Sequence, residues 1–150
     1  MSGFSKPFYV GSFRHALDAK NRLTIPAKWR FAGDENDVYL AVPHPSGHIM
    51  VLPPAEVDKL HDRISALRFS DDDAQEFQHK FFSLAHTFGC DKQGRINLPE
   101  ELLKRAEISR EAVLVGTMTK FGIWSPERWA SIDPQKNGDN LGHLMKQVGL

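Results

Sequence analysis

The chain has 150 residues, of which 41% are hydrophobic and 25% charged, a composition that suits one globular unit or two very small ones. Its 19 basic and 19 acidic residues cancel, so it lacks the overall positive charge common among nucleic-acid-binding proteins, although a local basic patch is still allowed. No apolar run has the length of a membrane span or the pattern of a secretory signal, and the single cysteine, Cys90, excludes an intramolecular disulfide and a CxxC metal site, so we expect a cytoplasmic protein.

An internal repeat organises the chain. Residues 18–26, DAKNRLTIP, align with residues 91–99, DKQGRINLP, and the Asp, Arg and Pro coincide. Downstream, residues 38–42 match 113–117, and residues 49–54 match 121–126. Three blocks in the same order and at a nearly constant offset indicate a duplicated unit.

Each copy predicts a strand, a polar turn, a second strand, a short helix and two further strands. The first strands are residues 13–17 and 86–90, the second strands are 22–25 and 95–98, and the helices are 27–31 and 100–106. Pro26 and Pro99 suit the start of a helix, because proline has a fixed φ and no N–H. Ser125 followed by Pro126 predicts a capped helix after the second copy.

The segment between the copies is predicted to be helical. Val57, Leu60, Ile64 and Leu67 recur at helical spacing. A second helix begins at residues 71–73, with an apolar stripe formed by Phe77, Phe81 and Leu84. Three acids in a row suit a helix N-terminus, which we favour over a metal site there. After Pro134 we expect a loose tail with one short helix that ends near Val148.

The two copies are expected to share one core. A half of about 70 residues buries only around 60% of its unfolded surface, which is marginal for strands this short. We therefore expect the halves to interleave, each lending strands to the other.

The two D-x-x-x-R turns carry the functional signal. Asp18 and Asp91 can accept backbone N–H groups and so form the turns. Asn21 and Gly94 occupy the same place in the two turns, and both residue types tolerate a left-handed backbone. Arg22 or Arg95 follows directly, and its planar guanidinium could bind phosphate or a guanine edge, or pair with the Asp four residues earlier. Both roles are compatible, because the Asp can orient the Arg.

Local charge favours DNA as the ligand, and favours the first turn over the second. Residues 14–30 contain five basic residues and one acid, a net charge of +4, whereas residues 91–105 contain four basic residues and three acids, a net charge of +1. The five basic residues are Arg14, Lys20, Arg22, Lys28 and Arg30. We therefore expect the first turn to contribute more to binding.

The duplicated turn, together with the blocks at residues 114–116 and 120–124, closely resembles the bacterial MraZ proteins, which are tandem members of the AbrB-like swapped-hairpin class. The resemblance covers about residues 9–132. It implies an α+β fold in which two tandem AbrB-like β-hairpin/helix repeats interleave into one swapped-hairpin β-barrel with additional helices. The implied divisions are a first repeat at 9–60, a helical connector at 61–81, a second repeat at 82–132 and a loose C-terminal tail at 133–150.

The resemblance also implies a function. The chain would be a sequence-specific DNA-binding transcriptional regulator of the division and cell-wall gene cluster, cytoplasmic and nucleoid-associated. It would bind double-stranded DNA in its own promoter region as a ring-shaped homo-oligomer, an octamer or a dodecamer, with no cofactor and no metal. Protomers in a ring share one orientation along the DNA, so we expect direct repeats roughly 10 bp apart.

Site residues follow from the family's motif. Its DNA-contacting arginines fall on Arg22 and Arg95, and the lysine of its first motif falls on Lys20. We add Arg14 and Lys92 as DNA-binding candidates, and Asp18, Asn21, Asp91 and Gly94 as turn-forming residues.

Two features depart from the family pattern. Asn21 replaces the glycine that usually precedes the first arginine, and it is the mildest replacement for a left-handed φ. The usual Phe-Arg-Gly start reads Tyr9-Val10-Gly11 here, so its arginine is missing, and Arg14 and Lys6 are the candidates to replace it.

Other classes of function are less well supported. An enzyme is disfavoured, because the chain has no glycine-rich phosphate loop and no GxSxG motif, and His44 and His48 lie in a Pro/Gly loop without further zinc ligands. An AbrB-like repressor or antitoxin acting as a dimer remains an alternative, as does a ring that binds a partner and not DNA.

Overall fold

The computed structural model describes residues 8–31, 38–68, 71–137 and 140–150, which form eight strands and six α-helices. The strands are β1 (Ser12–Ala16), β2 (Arg22–Thr24), β3 (Tyr39–Pro43), β4 (Ile49–Leu52), β5 (His86–Phe88), β6 (Arg95–Asn97), β7 (Glu111–Gly116) and β8 (Phe121–Trp124). The helices are α1 (Pro54–Ser65), α2 (Asp72–Leu84), α3 (Glu100–Arg105), α4 (Pro126–Ala130), α5 (Pro134–Asn137) and α6 (Leu141–Gln147). The predicted α+β class is thus confirmed. None of the described helices has both the length and the apolar character needed to cross a membrane.

The strands of the two copies pair with each other reciprocally. A six-stranded antiparallel sheet has the order β1-β7-β8-β4-β3-β5, and β2 and β6 form a separate antiparallel ribbon. The first strand of each copy pairs with the third strand of the other, β1 with β7 and β5 with β3. The matching strands β4 and β8 pair at the centre of the sheet. Each copy therefore supplies strands that the other needs, as the size argument predicts.

The predicted closure into a barrel is not seen in the described part of the chain. The six-stranded sheet ends at β1 on one side and at β5 on the other. The β2–β6 ribbon stays separate from it in strand pairing, so the sheet is open.

One core holds the sheet and the ribbon together. Leu23 and Ile96 face each other across the ribbon and are fully buried. Tyr9, Trp29 and Phe121 form an aromatic group beside them, with ring centroids 5.1 to 5.7 Å apart. Because the buried side chains come from both copies, burial of apolar surface ties the copies into one unit.

Side-chain caps mark the start of two of the described helices. The Ser125 side chain accepts the N–H of Arg128 at the start of α4, and the Asp71 carboxylate accepts the N–H of Ala74 at the start of α2. The predicted helix over residues 27–31 is wrong: only a 3₁₀ turn, Ala27–Trp29, forms there. Arg30 ends this turn in an extended conformation, while buried Trp29 donates its indole N–H to the Val10 carbonyl. Anchoring the indole in the core leaves no room for a longer helix.

The connector and the tail are covered only partly within one protomer. Val57, Leu60 and Phe81 pack against a small cluster formed by Leu40, Val42 and Leu52. No residue of α2 is buried, however, and Phe77 is exposed. In the tail, α5 forms a single turn where a loop was expected, and α6 agrees with the predicted short helix. Residues 138–139 of the predicted tail lie outside the described residues.

Candidate nucleic-acid interface

The first D-x-x-x-R turn is held together by the Asp18 carboxylate. Its Oδ1 accepts the backbone N–H groups of Lys20 and Arg22, both at 2.9 Å. Its Oδ2 accepts the Arg22 side-chain Nε–H at 2.6 Å. Asn21 has φ +60° and donates its N–H to the Asp18 carbonyl. The predicted left-handed position is therefore confirmed.

The second turn repeats this arrangement atom for atom. Asp91 Oδ1 accepts the N–H groups of Gln93 and Arg95 at 2.9 and 2.8 Å, and Oδ2 accepts Arg95 Nε–H at 2.9 Å. Gly94 has φ +80° and donates to the Asp91 carbonyl. The two turns are thus the same structural unit, built twice.

Both carboxylates are held in the charged form. The backbone hydrogen bond from Arg22 is the largest cause that lowers the pKa of Asp18, and the Arg22 side chain adds to it. The backbone hydrogen bond from Arg95 lowers the pKa of Asp91 in the same way. Each turn therefore keeps its Asp–Arg pair at neutral pH.

The β2–β6 ribbon brings the two arginines to one face. Arg22 lies opposite Asn97, Leu23 opposite Ile96 and Thr24 opposite Arg95. Residues directly opposite share a face, and successive residues alternate between faces. Since Leu23 and Ile96 are buried, Arg22, Thr24, Arg95 and Asn97 form the other, outer face. Arg22 and Arg95 are diagonal neighbours on it, which puts them roughly 7–8 Å apart at the backbone.

Backbone hydrogen bonds fix each turn to the strand of the other copy. The N–H of Ile25, after β2, bonds to the Gly94 carbonyl at 2.7 Å. The N–H of Leu98, after β6, bonds to the Asn21 carbonyl at 3.1 Å. The positions of the two arginines relative to each other are therefore set by the ribbon and not by loops.

The geometry of the two arginines is compatible with both of the roles considered for them, pairing with Asp and contact with a ligand. Their side chains are 29% and 28% exposed, and each uses its Nε–H for the neighbouring Asp. Within the described residues, no hydrogen bond involves the terminal Nη atoms of either side chain. Pairing with Asp orients each guanidinium and leaves its Nη donors for a ligand.

The remaining candidates are placed differently. Lys20 and Lys92 are exposed within the two turns. Arg14 lies on β1, where its Nη1 is 3.2 Å from the Glu111 carboxylate, so a neighbouring charge offsets its own. Lys6 lies outside the described residues.

Sequence reasoning missed the position of Arg30, whose side chain lies against Gly94 in the second turn. Arg14 and Arg30 had both been counted with the first turn. With Arg14 offset by Glu111 and Arg30 beside the second turn, the expected advantage of the first turn disappears.

A second group of aromatic and imidazole rings lies away from the ribbon. His48 stacks on Trp124 with a ring separation of 4.1 Å, and His44 stacks on the other side at 4.7 Å. His44 Nδ1 accepts the N–H of Ser46. Burial, with a smaller contribution from nearby His44, lowers the pKa of His48 to about 4. None of the described residues form a cluster of three or more metal ligands.

His48 gives a testable pH dependence. The folded protein keeps this ring neutral down to about pH 4, whereas an unfolded histidine takes up its proton near pH 6.5. The contribution of His48 to the free energy of unfolding is therefore fully present above pH 6.5, and it is lost as the pH falls towards 4. Because the ring is only half-buried, we expect a loss of about 1 kcal/mol between pH 7 and pH 5.

Chemical denaturation of wild type and of His48→Phe, which keeps the stack but cannot titrate, measures this loss. The Phe variant should lose less stability over the same range. Replacement of exposed His61 by Phe is the matched control and should leave the pH dependence unchanged. Equal pH dependence in wild type and His48→Phe would contradict the assignment.

Comparison with known proteins agrees with the duplicated turn. The family model described as "MraZ protein, putative antitoxin-like" matches residues 81–143. The protein named transcriptional regulator MraZ from Clostridium acetobutylicum is 32% identical over 143 residues, which are 95% of this chain and 99% of the relative. The protein of the same name from Heliobacterium modesticaldum is 37% identical over 122 residues, 81% of this chain and 84% of the relative. Relatives this similar over nearly their whole length establish that the chain belongs to the MraZ family.

Proposed function

We propose that this protein is a sequence-specific DNA-binding transcriptional regulator that reads the major groove with its β2–β6 ribbon. The observation that carries the proposal is the outer face of the ribbon, where Arg22, Thr24, Arg95 and Asn97 stand together on a rigid support. The major groove of B-DNA admits a two-stranded ribbon, and its base edges match these side chains: Arg for guanine, Asn for adenine, Thr for either.

In each turn, one part of the arginine side chain binds the aspartate and another part is free to bind DNA. The Asp carboxylate holds the arginine by Nε and leaves the Nη atoms, which can donate two parallel bonds to guanine O6 and N7 or to phosphate. Lys20 and Lys92, exposed beside the arginines, are suited to phosphates, which position a protein on DNA. The strand exchange between copies is the arrangement that an AbrB-like swapped hairpin requires, and it supports the proposed repeats at 9–60 and 82–132, with connector 61–81 and tail 133–150.

A ring of protomers would compensate for the small number of cations on each one. Each phosphate contact contributes modestly, but several protomers on one duplex can add a factor on the order of 10² to 10⁴ in avidity. The incompletely covered α2, with Phe77 and Phe82 exposed, supports contacts between protomers. We therefore propose a ring-shaped homo-oligomer, an octamer or a dodecamer, bound to direct repeats in its own promoter region in the division and cell-wall gene cluster. The proposal includes a cytoplasmic, nucleoid-associated location.

Selection from randomised DNA, followed by gel shifts with the DNA upstream of the coding sequence, tests the proposal. We expect direct repeats roughly 10 bp apart, and a log–log salt slope several times the 0.9 of one phosphate contact. Mass measurement of the free protein gives the size of the ring, and a simple dimer would favour the repressor or antitoxin alternative. A single inverted repeat would contradict the ring, and affinity no higher than for unrelated DNA would contradict the regulator.

A further inference from the structure

Arg30 is held beside the ribbon by a hydrogen bond and forms no ion pair with the described residues. It ends the 3₁₀ turn after β2, its side chain is exposed, and its Nε–H donates to the Ile25 carbonyl at 3.0 Å. Arg14, Arg22 and Arg95 each have a carboxylate partner. Arg30 has no carboxylate partner among the described residues, so no neighbouring carboxylate in that part of the chain offsets its charge.

The Arg30 guanidinium lies directly against the second turn. A Cβ built on Gly94 would overlap the Cζ and Nε atoms of Arg30, so any larger residue there would displace the guanidinium from this position. Gly94 immediately precedes Arg95, and a shallow cavity of about 280 Å³ beside the turn is lined by Arg30, Lys92 and Asp91 among others. Three cationic side chains therefore lie at the second turn: those of Arg30, Lys92 and Arg95.

The first turn has no equivalent of Arg30. Alignment of Pro26 with Pro99 matches Arg30 to Leu103, which is buried in the core. At the first turn, Asn21 takes the place of Gly94. The near-symmetry of the two copies is thus broken at one exposed cation.

We propose that Arg30 binds a DNA phosphate next to the second turn, as a third arginine of the DNA-binding surface. Its Nε–H bond fixes the plane of the guanidinium and leaves the Nη donors, which suit paired bonds to phosphate oxygens. Arg30 lies against Gly94 at the end of the ribbon and is not one of its outer-face residues, so we expect it to contact the DNA backbone and to leave the base edges to Arg22 and Arg95. This inference rests on the proposed function.

Salt titrations of DNA binding by Arg30→Gln and Arg30→Lys test it. Gln keeps a side-chain donor but not the charge, and we expect the log–log salt slope to fall by about 0.9 per bound protomer. For each bound protomer, the affinity for specific and for unrelated DNA should fall by the same factor, about 5- to 10-fold at moderate salt, because a phosphate contact carries no sequence information. Lys keeps the charge and should retain the wild-type slope. Arg63→Ala, an exposed arginine on α1, is the control for a change of net charge and should match wild type.

The outcomes separate this inference from the proposed function. If Arg30→Gln kept the wild-type salt slope of DNA binding, the proposed role of Arg30 would be overturned. A reduced salt slope in Arg30→Lys would overturn it too, because it would mean that Arg30 shapes the turn without contacting phosphate. In both cases wild type would still bind DNA and depend on Arg22. If wild type itself showed no preference for its upstream DNA, the proposed function would fail instead.

Discussion

Replacement of Arg22 by Ala is expected to lower the affinity for the upstream DNA by about 100-fold or more while the proposed oligomer stays intact. One arginine–guanine pair is worth roughly 1–3 kcal/mol, and the loss is repeated in every protomer on the DNA. Preference for the upstream DNA over unrelated DNA should fall as well. Fluorescence anisotropy with labelled DNA measures the affinity, and size-exclusion chromatography checks assembly.

Three further variants sharpen the test of Arg22. Arg22→Lys keeps the charge but not the planar pair of donors, so it should recover non-specific binding and little of the specificity. Arg14→Ala removes an arginine that already pairs with Glu111 and should have a small effect. Arg95→Ala should match Arg22→Ala, because the register gives both arginines the same outer face. Dissociation of the oligomer in Arg22→Ala would show that this residue is structural and would remove the central argument for DNA contact.

Gly94→Ala is expected to destabilise the protein by about 2–3 kcal/mol and to abolish specific DNA binding. The φ of +80° costs an L-residue roughly 1–2 kcal/mol, and the added methyl group would displace Arg30. The carbonyl of Gly94 also anchors β2 through Ile25, so the disturbance would reach the other strand of the ribbon. Thermal unfolding should show a melting temperature about 5–10 °C lower.

The matched variant for Gly94→Ala lies at the same place in the first turn. Asn21→Gly introduces the residue that best tolerates φ +60°, and no Arg30 equivalent lies there, so stability should change by less than about 0.5 kcal/mol. DNA binding should stay near that of wild type. A stable, DNA-binding Gly94→Ala variant would contradict both the strain and the contact with Arg30.

Local features of the fold and site were predictable from the sequence, and distant ones were not. The Asp–Arg pairing and the left-handed residue depend only on five consecutive residues, and both turns formed as expected. The contacts of Arg14 with Glu111 and of Arg30 with Gly94 join residues 97 and 64 positions apart, so they depend on which strands pair. Counting charges along the sequence therefore does not reveal that Glu111 offsets the charge of Arg14, or that Arg30 lies beside the second turn and not the first.

The helix predicted after β2, which the structure replaces by a 3₁₀ turn, is another feature that distant contacts decide. Pro26 predicts a helix start as well as Pro99 does, yet only the second copy forms a helix, α3. The difference lies in the two following segments: α3 buries Leu102 and Leu103 along one side, whereas the first copy directs Trp29 into the core and then turns extended at Arg30. Core packing decides the outcome there, and propensity does not.

The reciprocal strand pairing also constrains how the protein is made. Ser12 in β1 pairs with Val115 in β7, 103 residues later, and Arg22 in β2 pairs with Asn97 in β6, 75 residues later. The first two strands can therefore pair only after most of the chain has been translated. A first half that emerges from the ribosome has unpaired edges, and only α1, α2 and the β3–β4 hairpin can form from local contacts. The six-stranded sheet and the ribbon should therefore form only after the second copy has been synthesised. Folding should be slow, as expected for a chain whose sheet pairs segments that are distant in the sequence.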